Sequence, residues 1–520
     1  MKALISLLFL FPLSIFAQFN LEPDFTFGDS GRVYLEIAPS NFSTAADVSK
    51  AIGVQSDGKL VVAGYSHDIG GTEDWIITLA RFHQDGSLDT TFGQQGIAKK
   101  DLWEDDEAWD MEILPDDKIL VAGRSWKYDP VFRLTIQRMN VARFTADGQI
   151  DSTFHHNGGR VHELGKGADG VFDLEVQPDG KILLMGWVDD NIWRRVHWGI
   201  RRLMPDGQID VTFANQGTWI FNHSRYNDKA NAVTLQADGS ILVGGYFEDT
   251  CAVMRLTPNG DLDSTFADKG IFKKYMNYGV ADIQVDDQGR ILFATKDVER
   301  EGQALIFRLL PDGSLDPTFG TGGIYRHHQI DRRLFTGYRK ITFLPNGQIL
   351  CIGSIVYGND DDDKLSFFLL DDGGQLVRSF GTNGVERFYV CKYSFSEPDF
   401  VFLPGGAIAI TGRCTNGTGS SDYFVMKLNE KGNGGNNNVN NTAANKTFSP
   451  YPNPAPGGEI TINIPKEWVG ESYRVIDLTG RIAKEDITDS EQTKISLADL
   501  PPKTYYIRIK DQVKMIVVTE

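Results

Sequence analysis

Seven times along the chain a Thr-Phe or Ser-Phe pair recurs inside one pattern, whose fullest copy is PDGSLDPTFGTGG, Pro311 to Gly323. The pairs end in Phe27, Phe92, Phe154, Phe213, Phe266, Phe319 and Phe380. A period of roughly 60 residues is long for a repeat and holds about four short strands. The first half of each unit is an apolar strand, a DG-type turn and a second apolar strand, as in AIGVQSDGKLVVAGYS (51 to 66) and VTLQADGSILVGGY (233 to 246). The second half is another strand, a second DG turn and the TFG element. Apolar and polar residues alternate in these runs, as half-buried strands require. Asp or Asn caps each turn locally and Gly supplies the positive φ of a tight hairpin.

The units therefore predict an all-β fold: a seven-bladed β-propeller of four-stranded antiparallel blades. An open solenoid also stacks repeats, but the two ends of the array favour a ring. The first TFG element (22 to 36) has no first half before it. The last first half (400 to 414) is followed by YFVMKLNEKG and by no TFG element. Together the orphans make one unit, so the N-terminal strand is expected to close the blade built near residues 395 to 432.

Domain limits follow from composition. Residues 1–17 read as a secretory signal peptide, with Lys2, an apolar run from Ala3 to Phe16 and Ala17 before the cut. No other run reaches the length needed to span a bilayer. The propeller covers 21–432. Residues 433–447 lie in an Asn/Gly-rich stretch without core-forming side chains, a linker. Residues 448–520 form a small C-terminal β-sandwich domain, with strand candidates such as EITINI (459 to 464) and TYYIRIK (504 to 510). The net charge of −18 argues against nucleic acid or an anionic membrane as partner. A monomer is expected.

In LxPDGKILVAG…LxPDGSLDxTFGxGG the repeat resembles the bacterial delta-60 family over residues 21 to 432. Departures are local: Asp116-Asp117 replaces DG in the second copy, the sixth reads LVRSFG, and the seventh has Gly405-Gly406. That resemblance implies a propeller-like repeat and says little about activity. The C-terminal module is similar to the sorting domains of type IX secretion cargo in Bacteroidetes. The shared features are YPNP at Tyr451 to Pro454, the segment Val475 to Gly480, and a Tyr-rich strand before a basic-apolar terminal strand. The usual glycine before the Tyr strand is replaced by Lys503 and Thr504. This resemblance implies the type IX machinery as partner and a secreted or outer-membrane-surface location.

No HExxH, GxSxG, P-loop or dinucleotide fingerprint is present. The loops opposite the DG turns vary and are the expected place for function. They carry Trp103, Trp109, Trp126, Tyr128, Trp187, Trp193, Arg194, Arg195 and Trp198. Trp, Tyr and Arg anchor binding surfaces, yet aromatics also fill the wedges between blades. Asp360, Asp361, Asp362 and Asp363 could hold Ca²⁺, but the spacing of a calcium loop is absent and a solvated loop is the alternative; no cofactor is otherwise expected. The adjacent pairs His155-His156 and His327-His328 are poor chelates, since neighbouring strand residues point to opposite faces. Cys391 and Cys414 are the expected disulfide. The leading expectation is a non-catalytic module binding an unknown protein or glycan ligand. A polysaccharide hydrolase or lyase with its site at the channel, and a structural spacer, stay open.

Overall fold

The computed structural model describes residues 19–431 and 449–517, except 39–46, 69–73, 132–133, 166, 190–194, 222–227, 249, 277, 298–302, 328–334, 345, 356–362, 392–393, 404–405, 416–420, 452–458, 465, 478–481, 491, 502–503 and 510–511. Among these residues there is no α-helix, and residues 21–430 form seven antiparallel sheets. Blades 1 to 6 span 47–100, 105–162, 169–221, 229–275, 282–326 and 335–391, with four strands each. Blade 7 joins 394–430 to two short N-terminal strands, Leu21–Pro23 and Arg32–Leu35, which both pair with its third strand, Ser421–Glu430.

The first strand of each blade is the inner one. These strands are Asp47–Val54, Asp105–Ile113, Asp169–Val176, Lys229–Leu235, Asp282–Val285, Phe335–Phe343 and Ser394–Phe402. Each packs on the next around the molecule, and Ser394–Phe402 packs back on Asp47–Val54. Between the last and first blades the Ile52 amide donates to Asp399 (2.9 Å), Ser49 Oγ donates to Gly412 O (2.9 Å), and Tyr423 Oη donates to Thr78 O (2.7 Å).

The repeated residues hold neighbouring blades together. In blades 1 to 5 an Arg (81, 143, 202, 255, 308) donates through Nε to the Asp of its own TFG element at 2.7–2.9 Å. Its Nη1 donates to a carbonyl in the second DG turn of the next blade, for example Arg143 to Pro205 O at 2.6 Å. The guanidinium lies over the TFG phenylalanine, 4.4–4.7 Å from the ring centroid. All seven phenylalanines are fully buried. The Asp also accepts from the Thr amide and hydroxyl two residues on, as Asp210 does from Thr212 (3.1 and 2.5 Å). The turn glycine of the next blade sits against the ring. A Cβ on Gly260 would lie 2.7 Å from Phe213, and its φ of +89° is the left-handed region. Blade 6 replaces the ion pair with Leu369 and Val377, linked by the Val377 amide to Leu369 O (2.8 Å). Blade 7 uses Lys427 and the N-terminal Asp24 (2.9 Å).

The disulfide joins Cys391 and Cys414. It crosses between sheets, because Cys391 ends the outer strand of blade 6 while Cys414 lies in the second strand of blade 7. The pairing is the expected one. Cys251 and Cys351 are buried thiols.

In the C-terminal unit, Ser449–Tyr451, Glu459–Asn463 and Gln492–Ser496 form one sheet. Ile482–Ile487, Ser472–Asp477, Thr504–Ile509 and Gln512–Val517 form another. Ile460, Ile462, Trp468, Val475, Ile495, Tyr505 and Ile507 make its core.

Candidate functional site: the ring channel

The inner strands of blades 1 to 4, 6 and 7 slip register near their midpoints. Such a bulge re-aims the residue that follows it. That residue, seven before the glycine position of the first turn (Asp117 in blade 2), is Ala51, Asp110, Asp173, Ala232, Lys340 or Asp399, with Asp282 equivalent in blade 5. Each Asp accepts the amide that follows the equivalent residue of the next blade. Asp110 takes Leu174 N (2.8 Å), Asp173 takes Val233 N (2.7 Å), Asp282 takes Ile341 N (2.7 Å) and Asp399 takes Ile52 N (2.9 Å). The Asp side chains thus staple inner strands edge to edge. Blade 6 supplies Lys340 instead, 3.4 Å from Asp399.

Two residues further on, blades 2 and 3 add Glu112 and Glu175, which are not part of these staples. The groups converge. Burial works against the Lys340 charge, but Asp399, Asp282, Asp110 and Asp173, from four other blades, outweigh it and hold the ammonium well above the usual lysine range. Burial, then repulsion from Asp110, pushes Asp173 well up, with Lys340 opposing. Burial, then Glu112 and Asp110, does the same to Glu175. Burial and Asp110 raise Glu112 to about 7. Lys340 and Asp399 keep side-chain exposures of 35% and 17%, so the cluster is walled by protein yet wetted. Crowded carboxyls that cannot all ionise can both donate and accept hydrogen bonds at neutral pH. Among the described residues, no group of three or more His, Cys, Asp or Glu is arranged to hold a metal ion.

At the loop end of the channel the bulges place aromatic and charged residues. Trp109 lies 5.1 Å from Phe172 and 6.1 Å from Trp187, and Phe172 lies 4.5 Å from Trp187. Lys50 and Arg124 sit over the Trp109 ring at 4.9 and 5.0 Å. Glu107 accepts from the Trp109 indole (2.6 Å) and from Arg124 (2.9 Å), and Lys50 pairs with Glu397 of blade 7. Trp109 and Trp187 are therefore brought together, largely covered by protein.

The other expected contact residues are scattered. Trp198 is fully buried, and its indole donates to Tyr246 O (2.9 Å), so it packs between blades 3 and 4 and the expectation of surface contact is corrected. Trp126 is half-buried and its indole nitrogen has no hydrogen-bond partner among the described residues, and Tyr128 is exposed. Trp103 is half-buried under Lys127 (4.7 Å) on the rim between blades 1 and 2. Arg195 is half-buried. Trp193, Arg194, Asp360, Asp361 and Asp362 lie outside the described residues, as do residues 1–17 and 433–447; Asp363 opens the third strand of blade 6. No local catalytic pattern marks the channel carboxylates, because they come from separate repeats. The signal was present in register: Asp-Met-Glu at 110–112 and Asp-Leu-Glu at 173–175 stand at one offset in adjacent copies.

Residues 55–92, 114–154, 177–213, 236–266 and 289–319 match the family described as "Domain of unknown function (DUF5122) beta-propeller". Residues 449–519 match "Secretion system C-terminal sorting domain". No curated protein matches the chain. Among solved structures, a protein of unknown function from Dyadobacter fermentans is 10% identical, with 79% of this chain and 100% of that one covered and a TM-score of 0.43. A polysaccharide lyase of family PL25, an ulvan lyase, is 13% identical over 77% and 96% of the two chains (TM-score 0.43). The α-L-arabinofuranosidase Arb93A of Fusarium graminearum is 10% identical over 77% and 97% (TM-score 0.39). Likeness this distant carries no function. The sorting domain indicates export, with release or attachment at the cell surface. The chain is a repeat β-propeller carrying DUF5122 repeats and a type IX C-terminal sorting domain.

Proposed function

We propose that the exported propeller is a binding module whose glycan or protein ligand reaches into the channel. One observation carries the reading. Glu112 and Glu175 add two crowded carboxyls that the blade-to-blade staples do not use, and Lys340 of blade 6 acts on Glu112. Hydroxyl or ammonium groups of a ligand would relieve that crowding. The test is a glycan array and a pull-down with the full-length mature chain, repeated with Glu112→Gln/Glu175→Gln. Losing two hydrogen-bonded carboxyls should weaken the captured ligand roughly tenfold or more. Unchanged affinity would overturn the channel as the site.

A second reading is glycoside cleavage, favoured by Glu112 at about 7 beside Asp110. A carboxylic acid kept protonated near neutrality next to another carboxyl can divide acid and base work. If the protein cleaves glycans, the acid must carry its proton, so the rate falls as pH rises through about 7, and Glu112→Gln removes it. Reducing-sugar release across pH 5–8 decides between the readings; a panel of polysaccharides left intact favours binding alone.

A further inference from the structure

A second polar site lies on the rim, away from the channel. The outer strand of blade 2, Gly159–His162, and the connection at 101–103 enclose an open cleft of 720 Å³. Trp103, Arg138, His155, His156, Arg160 and Glu163 line it. Asp101 lines it as well, so Arg138 and Arg160 face two carboxyls there. Glu163 is drawn to Arg138 at 3.4 Å, and burial, then Asp74, raises the Asp101 carboxyl at the cleft's edge.

Arg160 also belongs to the face turned toward blade 3. Arg160 and His162 stand opposite Val141 and Met139, which pack in the core shared by blades 2 and 3. On the blade 3 strand Val196–Leu203, Arg201 reaches the same place, donating Nη2 to Glu163 O at 2.9 Å. His162 and Arg201 are 3% and 8% exposed, and His162 Nε2 and Arg201 Nε have no hydrogen-bond partner among the described residues. A buried donor without an acceptor costs free energy that a bound anion would recover.

The local field has the matching sign. His162 titrates at about 3, because burial and then Arg201, Arg160 and His155 oppose another positive charge. Burial and then Arg160 lower Arg201 too, with Asp169 opposing. In His155, burial and Arg160 act the same way, and its Nε2 faces Arg160 Nη1 at 2.6 Å.

We propose that this edge of blade 2 binds an anionic saccharide, its carboxylate or sulfate held by Arg160 and Arg201 and a sugar ring laid against Trp103. Guanidinium forks suit both anions, and an aromatic side chain beside them favours a sugar over a bare ion.

Calorimetry on the full-length mature chain tests this with four probes: a galacturonate tetrasaccharide, a sulfated heparin tetrasaccharide, neutral maltotetraose and tetraglutamate. One or both charged saccharides should bind, identifying the anion, and binding should weaken with added salt. Arg160 is exposed, so Arg160→Gln should fold normally and weaken binding roughly tenfold or more, the worth of a charge-assisted hydrogen bond. Tyr275→Ala, at an exposed position on the outer strand of blade 4 outside both the cleft and the channel, should bind unchanged. The proposal is overturned if no saccharide binds, if maltotetraose or tetraglutamate binds as tightly, or if Arg160→Gln retains full affinity.

Discussion

Phe213 and Gly260 show what the repeat consensus is for. The phenylalanine closes one blade and the turn glycine opens the last hairpin of the next, so the contact between them is a blade interface. Each residue type was legible as a turn or core signal. That they meet was not, because the contact depends on the stacking of separate sheets. Phe213→Ala should cost about 3–5 kcal/mol, as for other large-to-small changes at a fully buried aromatic. Gly260→Ala should also destabilise, since its Cβ meets the ring at a φ of +89°. Removing the ring leaves only the backbone strain, so the double variant should be more stable than the sum of the two losses predicts. Urea unfolding of the four proteins checks this. Strict additivity would mean that the pair does not carry the interface. The same scale explains why the channel groups went unread: Asp110 and Asp173 look like ordinary polar positions of an alternating strand until the bulges turn them toward the axis.

The N-terminal strands are the element on which closure depends. Leu21–Pro23 and Arg32–Leu35 pair with seven residues of Ser421–Glu430, three and four respectively. Phe27 is buried among Ile52, Leu60, Phe82 and Tyr423 from blades 1 and 7. The Gly28 amide donates to Asp85 O of blade 1 (2.8 Å), and Asn20 bonds both Lys431 N and Gly381 N at 2.7 Å. This segment was readable in advance because an orphan half at each end has one complementary solution. The disulfide's passage between sheets was not, since strand patterns do not say which sheet edge meets which. Removing residues 19–36 should leave the edge of Ser421–Glu430 unpaired and open the Phe27 pocket. The shortened chain should melt earlier and associate through that edge. A peptide of residues 19–36 added in trans should restore the melting temperature. An unchanged melt would show that closure rests on the inner strands and the disulfide instead.

At the scale of the whole molecule, scaffold and export were legible while the ligand was not. Sevenfold recurrence and a distinct terminal module are written in register along one chain. A binding site on a ring is assembled from single residues of several blades, which no local pattern records. The two units keep separate cores: the sandwich cluster draws only on residues 460–509, and the propeller clusters draw on none of them. Deleting 449–520 should therefore leave the ring folded, with the Tyr423 and Phe27 packing intact. In a host that secretes through the type IX route, the shortened chain should collect in the periplasm while the full chain reaches the medium or cell surface. Cell fractionation reads the location. The melting temperature of the retained ring separates failed export from failed folding. Export of the truncated chain at the normal level, with its ring folded, would show that the sandwich is a passenger and that the address lies elsewhere in the chain.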